Sequence, residues 1–172
     1  MYYSAFSPIP DASRALPPAA PPLEREHRLY QADWLMRFYG YRHEEITQSA
    51  SDASADTPQG MLALDIDPKF GWALRNRQFF PVDLNRGTRE QLLRVPGLGP
   101  GSVARILASR RLSRLNYEAL GKTGAVMRRA RYFVSAQGRR PCPWTDDPAR
   151  VYRALAGQDR EAHQQLSFLA VS

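Results

Sequence analysis

Cysteine is almost absent from this chain of 172 residues, in which Cys142 is the only one. A single thiol cannot form an internal disulfide, and by itself it cannot hold an iron–sulfur cluster or a thiolate zinc ion. It also favours a reducing, cytoplasmic location. No run approaches the ~18 apolar residues of a membrane span, and the first residues lack the pattern of a signal peptide, so we expect no membrane partner.

Groups that could carry out chemistry are also few and scattered. His27, His43 and His163 are not spaced like metal ligands. Cys142 stands between two prolines and has no base in its local sequence, which argues against nucleophilic catalysis. We therefore expect a chain that is not itself an enzyme, with neither catalytic nor metal-binding residues.

Acidic residues are nearly missing from one stretch of the chain. Of 24 basic and 17 acidic residues in all, 13 basic and only two acidic residues lie between Arg86 and Arg140. Such localised positive charge is typical of a surface that binds a polyanion. Charge alone fits a solvated helix face equally well.

Proline positions and apolar spacing divide the chain into three parts. Residues 1–60 are expected to form an extended, proline-rich lead, a long amphipathic helix from Leu23 to Tyr39 capped by Gly40, and a flexible loop. Residues 61–140 should form a basic helical domain, and residues 141–172 a loose tail with a short helix at Pro148 to Ala156. One stripe of the long helix carries its large side chains: Leu23, His27, Tyr30, Trp34 and Phe38.

Two helix starts are signalled in the basic domain. Asp67 is a candidate N-cap with Pro68 in the first turn, in a helix expected to reach about Asn76. Thr88 can cap a second helix, and Gln91 at its third position completes a capping box. The intervening Phe79 to Val82 should be an extended connector.

A glycine-rich turn follows that second helix. Pro96 and Gly97 should end the helix, and Gly97 and Gly99 both permit a positive φ. The apolar Leu98 between them should point into the core. Another helix is predicted from Ser102 to Ser109. A turn of this kind presents unpaired N–H groups at the positive end of a helix dipole, where phosphate oxygens can accept, so no base edge need be read.

This turn resembles the helix-hairpin-helix family of DNA-binding motifs. The family pattern is an apolar residue, Pro-Gly-apolar-Gly, and an Ala in the next helix, which Val95 to Gly99 and Ala104 match. The resemblance implies that the segment from Asp83 to Phe133 grips a nucleic-acid backbone. The alternative is that the glycine turn is only a structural cap.

A degenerate second copy follows the first hairpin. Asn116 to Gly121 should start a short helix, Lys122 to Gly124 a turn, and Ala125 to Val134 another helix. The expected fold class is therefore all-α, a tandem helix-hairpin-helix domain behind the lead and the long helix. The second unit could bind DNA or serve only as packing support.

Further segments widen the resemblance. They are Tyr2 to Pro10, Arg25 to Leu35, Leu64 to Lys69, Trp72 to Asn76 and Arg129 to Phe133. Together they are similar to the C-terminal region of a family of DNA modification and repair radical SAM proteins. The family's N-terminal barrel, whose C-x3-C-x2-C motif holds a [4Fe–4S] cluster and which binds S-adenosylmethionine, has no counterpart here. The resemblance implies that both cofactors belong to a missing barrel, with exposed apolar surface along Tyr2, Phe6, Trp34 and Phe38.

These patterns favour sequence-independent binding of duplex DNA through its phosphates. The residues expected to contact DNA are Pro96, Gly97, Leu98, Gly99, Gly101, Ser102, Arg105, Arg110, Arg111, Lys122, Arg128 and Arg129. The resemblance adds a radical SAM barrel chain and a uracil-DNA-glycosylase-like protein as partners. Gln165 to Leu169 resembles the peptide that docks on the bacterial sliding clamp. The alternative function is a protein-interaction domain that docks such a partner, with the hairpin only structural.

Overall fold

Short local signals set the ends of the helices in the computed structural model, which describes residues 20–47, 60–140, 142 and 147–156. The helices are α1 (Leu23–Tyr39), α2 (His43–Ile46), α3 (Pro68–Arg75), α4 (Arg89–Arg94), α5 (Pro100–Ser109), α6 (Tyr117–Gly121), α7 (Met127–Ala130) and α8 (148–156), with a 3-10 turn at Arg77–Phe79. Two short strands are β1 (Val82–Asp83) and β2 (Val134–Ser135). Helix covers 55% of the described residues, so the fold is mainly α.

The predicted caps are confirmed. Gly40 ends α1 in the left-handed conformation at φ 70°. The side chain of Asp67 accepts from the N–H of Phe70 at 2.9 Å and starts α3. Thr88 and Gln91 exchange both bonds of a capping box at the start of α4. Each cap satisfies backbone groups that a helix end leaves without a partner.

The fold is not purely α, and the last predicted helix of the basic domain was too long. Helix α7 ends at Ala130, whereas the sequence predicted a helix from Ala125 to Val134. Val134 and Ser135 instead pair in parallel with Val82 and Asp83 as β2 and β1. This pairing joins residues about 50 positions apart, and helical spacing along the chain contains no information about it.

Helix α1 turns its small and medium side chains inward. Ala32 and Leu35 are buried together with Arg28, whose guanidinium donates to the carbonyl of Leu64 at 3.0 and 3.2 Å. Trp34 and Phe38 are 56% and 47% exposed, as predicted for a surface left uncovered. The large stripe of α1 therefore faces solvent rather than the core.

One hydrophobic cluster unites residues from every part of the described chain. It contains Leu35 from α1, Phe70 from α3, Ile106 from α5, Phe133 beside β2 and Leu155 from α8. The long helix and α8 thus pack on the same core as the basic segment. The predicted lead over 1–19 with Tyr2 and Phe6, the loop over 48–59 and the tail over 157–172 with its clamp-like peptide lie outside the described residues.

The turns of two consecutive helical hairpins touch. The first hairpin is α4–α5 and the second is α6–α7. The N–H of Val126 in the second turn donates to the carbonyl of Gly97 in the first at 2.9 Å. Gly97 has φ 88°, and a Cβ on it would lie 2.7 Å from the carbonyl oxygen of Val126. Glycine is therefore required there by both the backbone conformation and the close approach.

Candidate nucleic-acid interface

The first turn opens on a cleft of about 820 Å³. One wall is helix α1, the floor includes the start of α3, and the opposite wall is made by the two hairpin turns. The lining residues are Arg28, Tyr30, Gln31, Trp34, Leu35, Tyr39, Asp67, Pro68, Lys69, Gly97, Leu98, Gly99, Gly101, Ser102, Arg105, Gly124, Val126 and Arg129. The cleft brings the turn that the sequence singled out against a helix some 60 residues earlier in the chain.

Three residues at the start of α5 line this cleft. Gly99 is the N-cap, without a side-chain cap bond, and Pro100 occupies the first turn of the helix. The N–H groups of Gly99, Gly101 and Ser102 have no acceptor among the described residues. Amides in the first turn of a helix point out along its axis and carry the positive end of its dipole. The arrangement can therefore accept an anionic oxygen without moving.

Gly99 could take a positive φ but does not. Its φ is −99°, so only Gly97 of the two glycines takes a positive φ. The reason is that the N-cap of α5 falls on Gly99, and an N-cap residue takes an extended conformation. A Cβ on Gly99 would lie 3.5 Å from the hydroxyl of Tyr39, across the cleft. The absence of a side chain at Gly99 therefore keeps the cleft open rather than making the turn possible.

Lys69 binds the turn through the backbone carbonyl of Leu98. Its side chain is buried, its Nζ donates to the carbonyl of Leu98 at 2.6 Å, and the same atom lies 4.4 Å from the centre of the Tyr39 ring. Burial lowers the pKa of Lys69 to about 7, against the opposing attraction of Asp67. The lysine thus anchors the hairpin to α3 and places a titratable amine at the floor of the cleft.

Aromatic side chains form the α1 wall. The Trp34 indole lies 4.2 Å, centroid to centroid, from the Phe38 ring at a tilt of 46°. Burial raises the pKa of the Tyr39 hydroxyl, and the neighbouring Trp34 side chain opposes this shift. The indole is therefore exposed and packs against Phe38.

Two arginines complete the far wall. Arg105 donates from Nε to the carbonyl of Thr123 at 2.8 Å and so joins the first hairpin to the second turn. Arg129 pairs with Asp67 at 2.9 Å. Among the described residues that line the cleft, Asp67 is the only acid and it pairs with Arg129, while Lys69, with its pKa of about 7, is only partly protonated near neutral pH; Arg28 and Arg105 therefore leave the lining cationic.

The structure divides the predicted DNA-binding residues into two groups. Gly97, Leu98, Gly99, Gly101, Ser102, Arg105 and Arg129 line the cleft, whereas Pro96, Arg110, Arg111, Lys122 and Arg128 do not. Leu98 is buried, as its apolar side chain predicted, so only its backbone takes part. Arg110 and Arg111 follow the C-terminal end of α5, about 15 Å along the helix from Gly101.

The cationic side chains outside the cleft differ in whether they already have a hydrogen-bond or ion-pair partner. Arg110 donates to the carbonyl of Gly87 at 2.6 Å, and Lys122 pairs with Glu118 at 3.1 Å. Arg111 and Arg128 are exposed and have no acceptor among the described residues. These two are therefore available to an external anion without loss of an internal bond.

Sequence reasoning missed Lys69 and Tyr39 as parts of the site. Both meet the turn only through tertiary packing, Lys69 across 29 positions of sequence from Leu98. Neither belongs to a spacing pattern that signals such a contact. The sequence did single out Trp34, but as surface for a protein partner.

In comparisons with known proteins, no family model, curated sequence or solved structure matches this chain. Within the part that the structure describes, no three His, Cys, Asp or Glu side chains come together as a metal site. No helix of that part combines the length and apolar character needed to cross a membrane.

Proposed function

We propose that this chain binds duplex DNA through its backbone phosphates, independently of base sequence, and that α4–α5 is a helix-hairpin-helix unit. The open amides of Gly99, Gly101 and Ser102 beside a cationic cleft carry this proposal. A phosphate oxygen that accepts from these groups is held by fixed dipoles, and the neighbouring arginines add charge. The chain acts as a binding module rather than an enzyme.

The second hairpin supports a tandem arrangement. Each hairpin begins at a side-chain N-cap, Thr88 or Asn116, and each turn holds one glycine at positive φ, Gly97 at 88° and Gly124 at 75°. The bond from Val126 to Gly97 fixes one turn against the other. Two turns fixed in this way act as a rigid pair, so that both hairpins approach the same stretch of duplex.

Salt dependence tests the proposal. Binding of a labelled blunt duplex by anisotropy should weaken linearly in log–log form with salt, equally for two unrelated sequences, because each phosphate contact releases counterions. Arg128→Gln should reduce the slope by about one unit. Arg153→Gln serves as the matched control, because that arginine is exposed on α8 and does not line the cleft. An affinity for the duplex that does not change with salt concentration would contradict the proposal.

The exposed apolar residues of α1 favour a second candidate function, docking of a protein partner. Leu23, Met36 and Phe38 lie on the surface of this helix. The family resemblance names the partner as a radical SAM barrel chain, which would carry the [4Fe–4S] cluster and S-adenosylmethionine, or a uracil-DNA-glycosylase-like protein. Co-purification of either with the chain, together with no affinity for DNA, would favour this candidate over the first.

A further inference from the structure

We propose that the cleft receives one unpaired nucleotide from the strand that the hairpin holds, with the base stacked on Trp34. This inference rests on the proposed function and specifies its preferred substrate: duplex DNA with a single-stranded extension. The hairpin amides hold the phosphate, and the aromatic wall holds the base.

The size of the cleft favours a single nucleotide. Its volume of about 820 Å³ falls within the ~300–1,000 Å³ typical of pockets that enclose small molecules. The cleft and the duplex surface therefore bind different parts of one DNA molecule, with an unpaired nucleotide inside and paired nucleotides outside.

The aromatic wall is prepared for stacking. Trp34 lines the cleft, is 56% exposed, and packs against Phe38 at 4.2 Å between ring centroids. A preset aromatic face binds any base, because every base has a π-face. Stacking therefore preserves the independence of sequence that phosphate contacts confer.

The charge of the lining selects this occupant over an apolar protein surface. Arg105 and Arg129 line the cleft with Asp67 as the only acid among its described lining residues, and so do Gly99, Gly101 and Ser102, whose amides have no acceptor in the described part of the chain. An apolar partner would bury these groups without compensation, which is costly. A nucleotide offers an anion for the amides and an aromatic ring for the indole.

The experiment compares two probes, a blunt duplex and the same duplex with a short dT extension, by anisotropy. The wild-type chain should bind the extended duplex more tightly. Trp34→Ala should reduce that advantage roughly 5- to 150-fold, the range for loss of one base stack, while the blunt duplex keeps its affinity. Trp34→Phe should retain most of the advantage. Leu112→Ala is the matched control, since Leu112 is an exposed apolar residue outside the cleft.

The two probes separate failure of this inference from failure of the proposed function. No salt-dependent binding of the blunt duplex would refute the proposed function. Normal binding of the blunt duplex, with an extension advantage that Trp34→Ala leaves intact, would overturn the inference alone. An intact extension advantage in Trp34→Ala together with loss of a protein partner would also overturn the inference, because the indole would then serve protein docking.

Discussion

Replacement of Gly101 by alanine should separate the binding role of the hairpin from its structural role. Gly101 lies in the first turn of α5, is exposed, and lines the cleft. Among atoms beyond the local backbone, a Cβ there comes closest to Nη2 of Arg105, at 3.7 Å, which is ordinary contact. The folded chain can therefore accept the methyl group without strain.

Stability and affinity should change in opposite directions. Alanine in a helix is favoured over glycine by up to about 1 kcal/mol, which raises the Tm of a chain of this length by about 2–4 °C. The same methyl group occupies the space through which a phosphate approaches the amides of Gly101 and Ser102. Loss of one hydrogen bond to a charged acceptor costs about 1.5–3 kcal/mol, or roughly 10- to 150-fold in Kd.

The assay pairs thermal unfolding with anisotropy on a blunt duplex. Gly121→Ala is the matched control, a helical glycine outside the cleft whose Cβ would meet only Met127, at 3.9 Å. Gly97→Ala is unsuitable, because its φ of 88° and the contact of 2.7 Å with Val126 damage the fold itself. If Gly101→Ala is more stable and binds DNA as tightly as the wild type, the amides do not bind phosphate.

Three further predictions concern charged and polar residues outside the turn. Folding lowers the pKa of Lys69 from 10.5 to about 7, so between these values the unfolded chain binds more protons than the folded chain. The free energy of unfolding, measured with urea, should therefore rise from pH 7 to about 9 with a slope of up to 1.4 kcal/mol per pH unit. Lys69→Met should abolish this slope. Arg94→Ala should lower the free energy of unfolding by about 2–4 kcal/mol, because Arg94 pairs with half-buried Glu45 and lies over the Tyr41 ring. The folded protein should keep its DNA affinity in the anisotropy assay. Asn85→Ala should destabilise by about 1–3 kcal/mol in the same unfolding assay, because its amide bonds both backbone groups of Leu115, at 2.8 and 3.0 Å; an unchanged midpoint would contradict this.

Helix ends were predictable from the sequence because their signals are local. The caps at Asp67 and Thr88 depend on residues three positions away, and Gly40 ends α1 through its own conformational freedom. The end of α7 was not predictable, because Val134 pairs with Val82 on a distant part of the chain. Local cap signals therefore predicted the starts of α3 and α4, whereas α5 begins at Pro100, two residues before its predicted start, and tertiary pairing decides where α7 stops.

Apolar spacing alone also could not predict which side of α1 faces solvent. Apolar spacing finds a stripe of large side chains but does not say which side of the helix the core covers. The core takes Ala32 and Leu35, because α1 approaches α3 closely and small side chains permit that approach. The large aromatic side chains consequently remain outside, beside the hairpin.

The position of α1 also bears on whether the hairpin is more than a cap. A glycine turn that served packing alone would be covered by its neighbours, as Gly97 is by the second hairpin. Four residues further along, the packing stops: Gly101 is exposed, and α1 leaves the cleft open beside it. Lys69 braces the turn from below, and Trp34 remains exposed opposite it. Folding alone would favour closing this space, so the open cleft supports a role in binding.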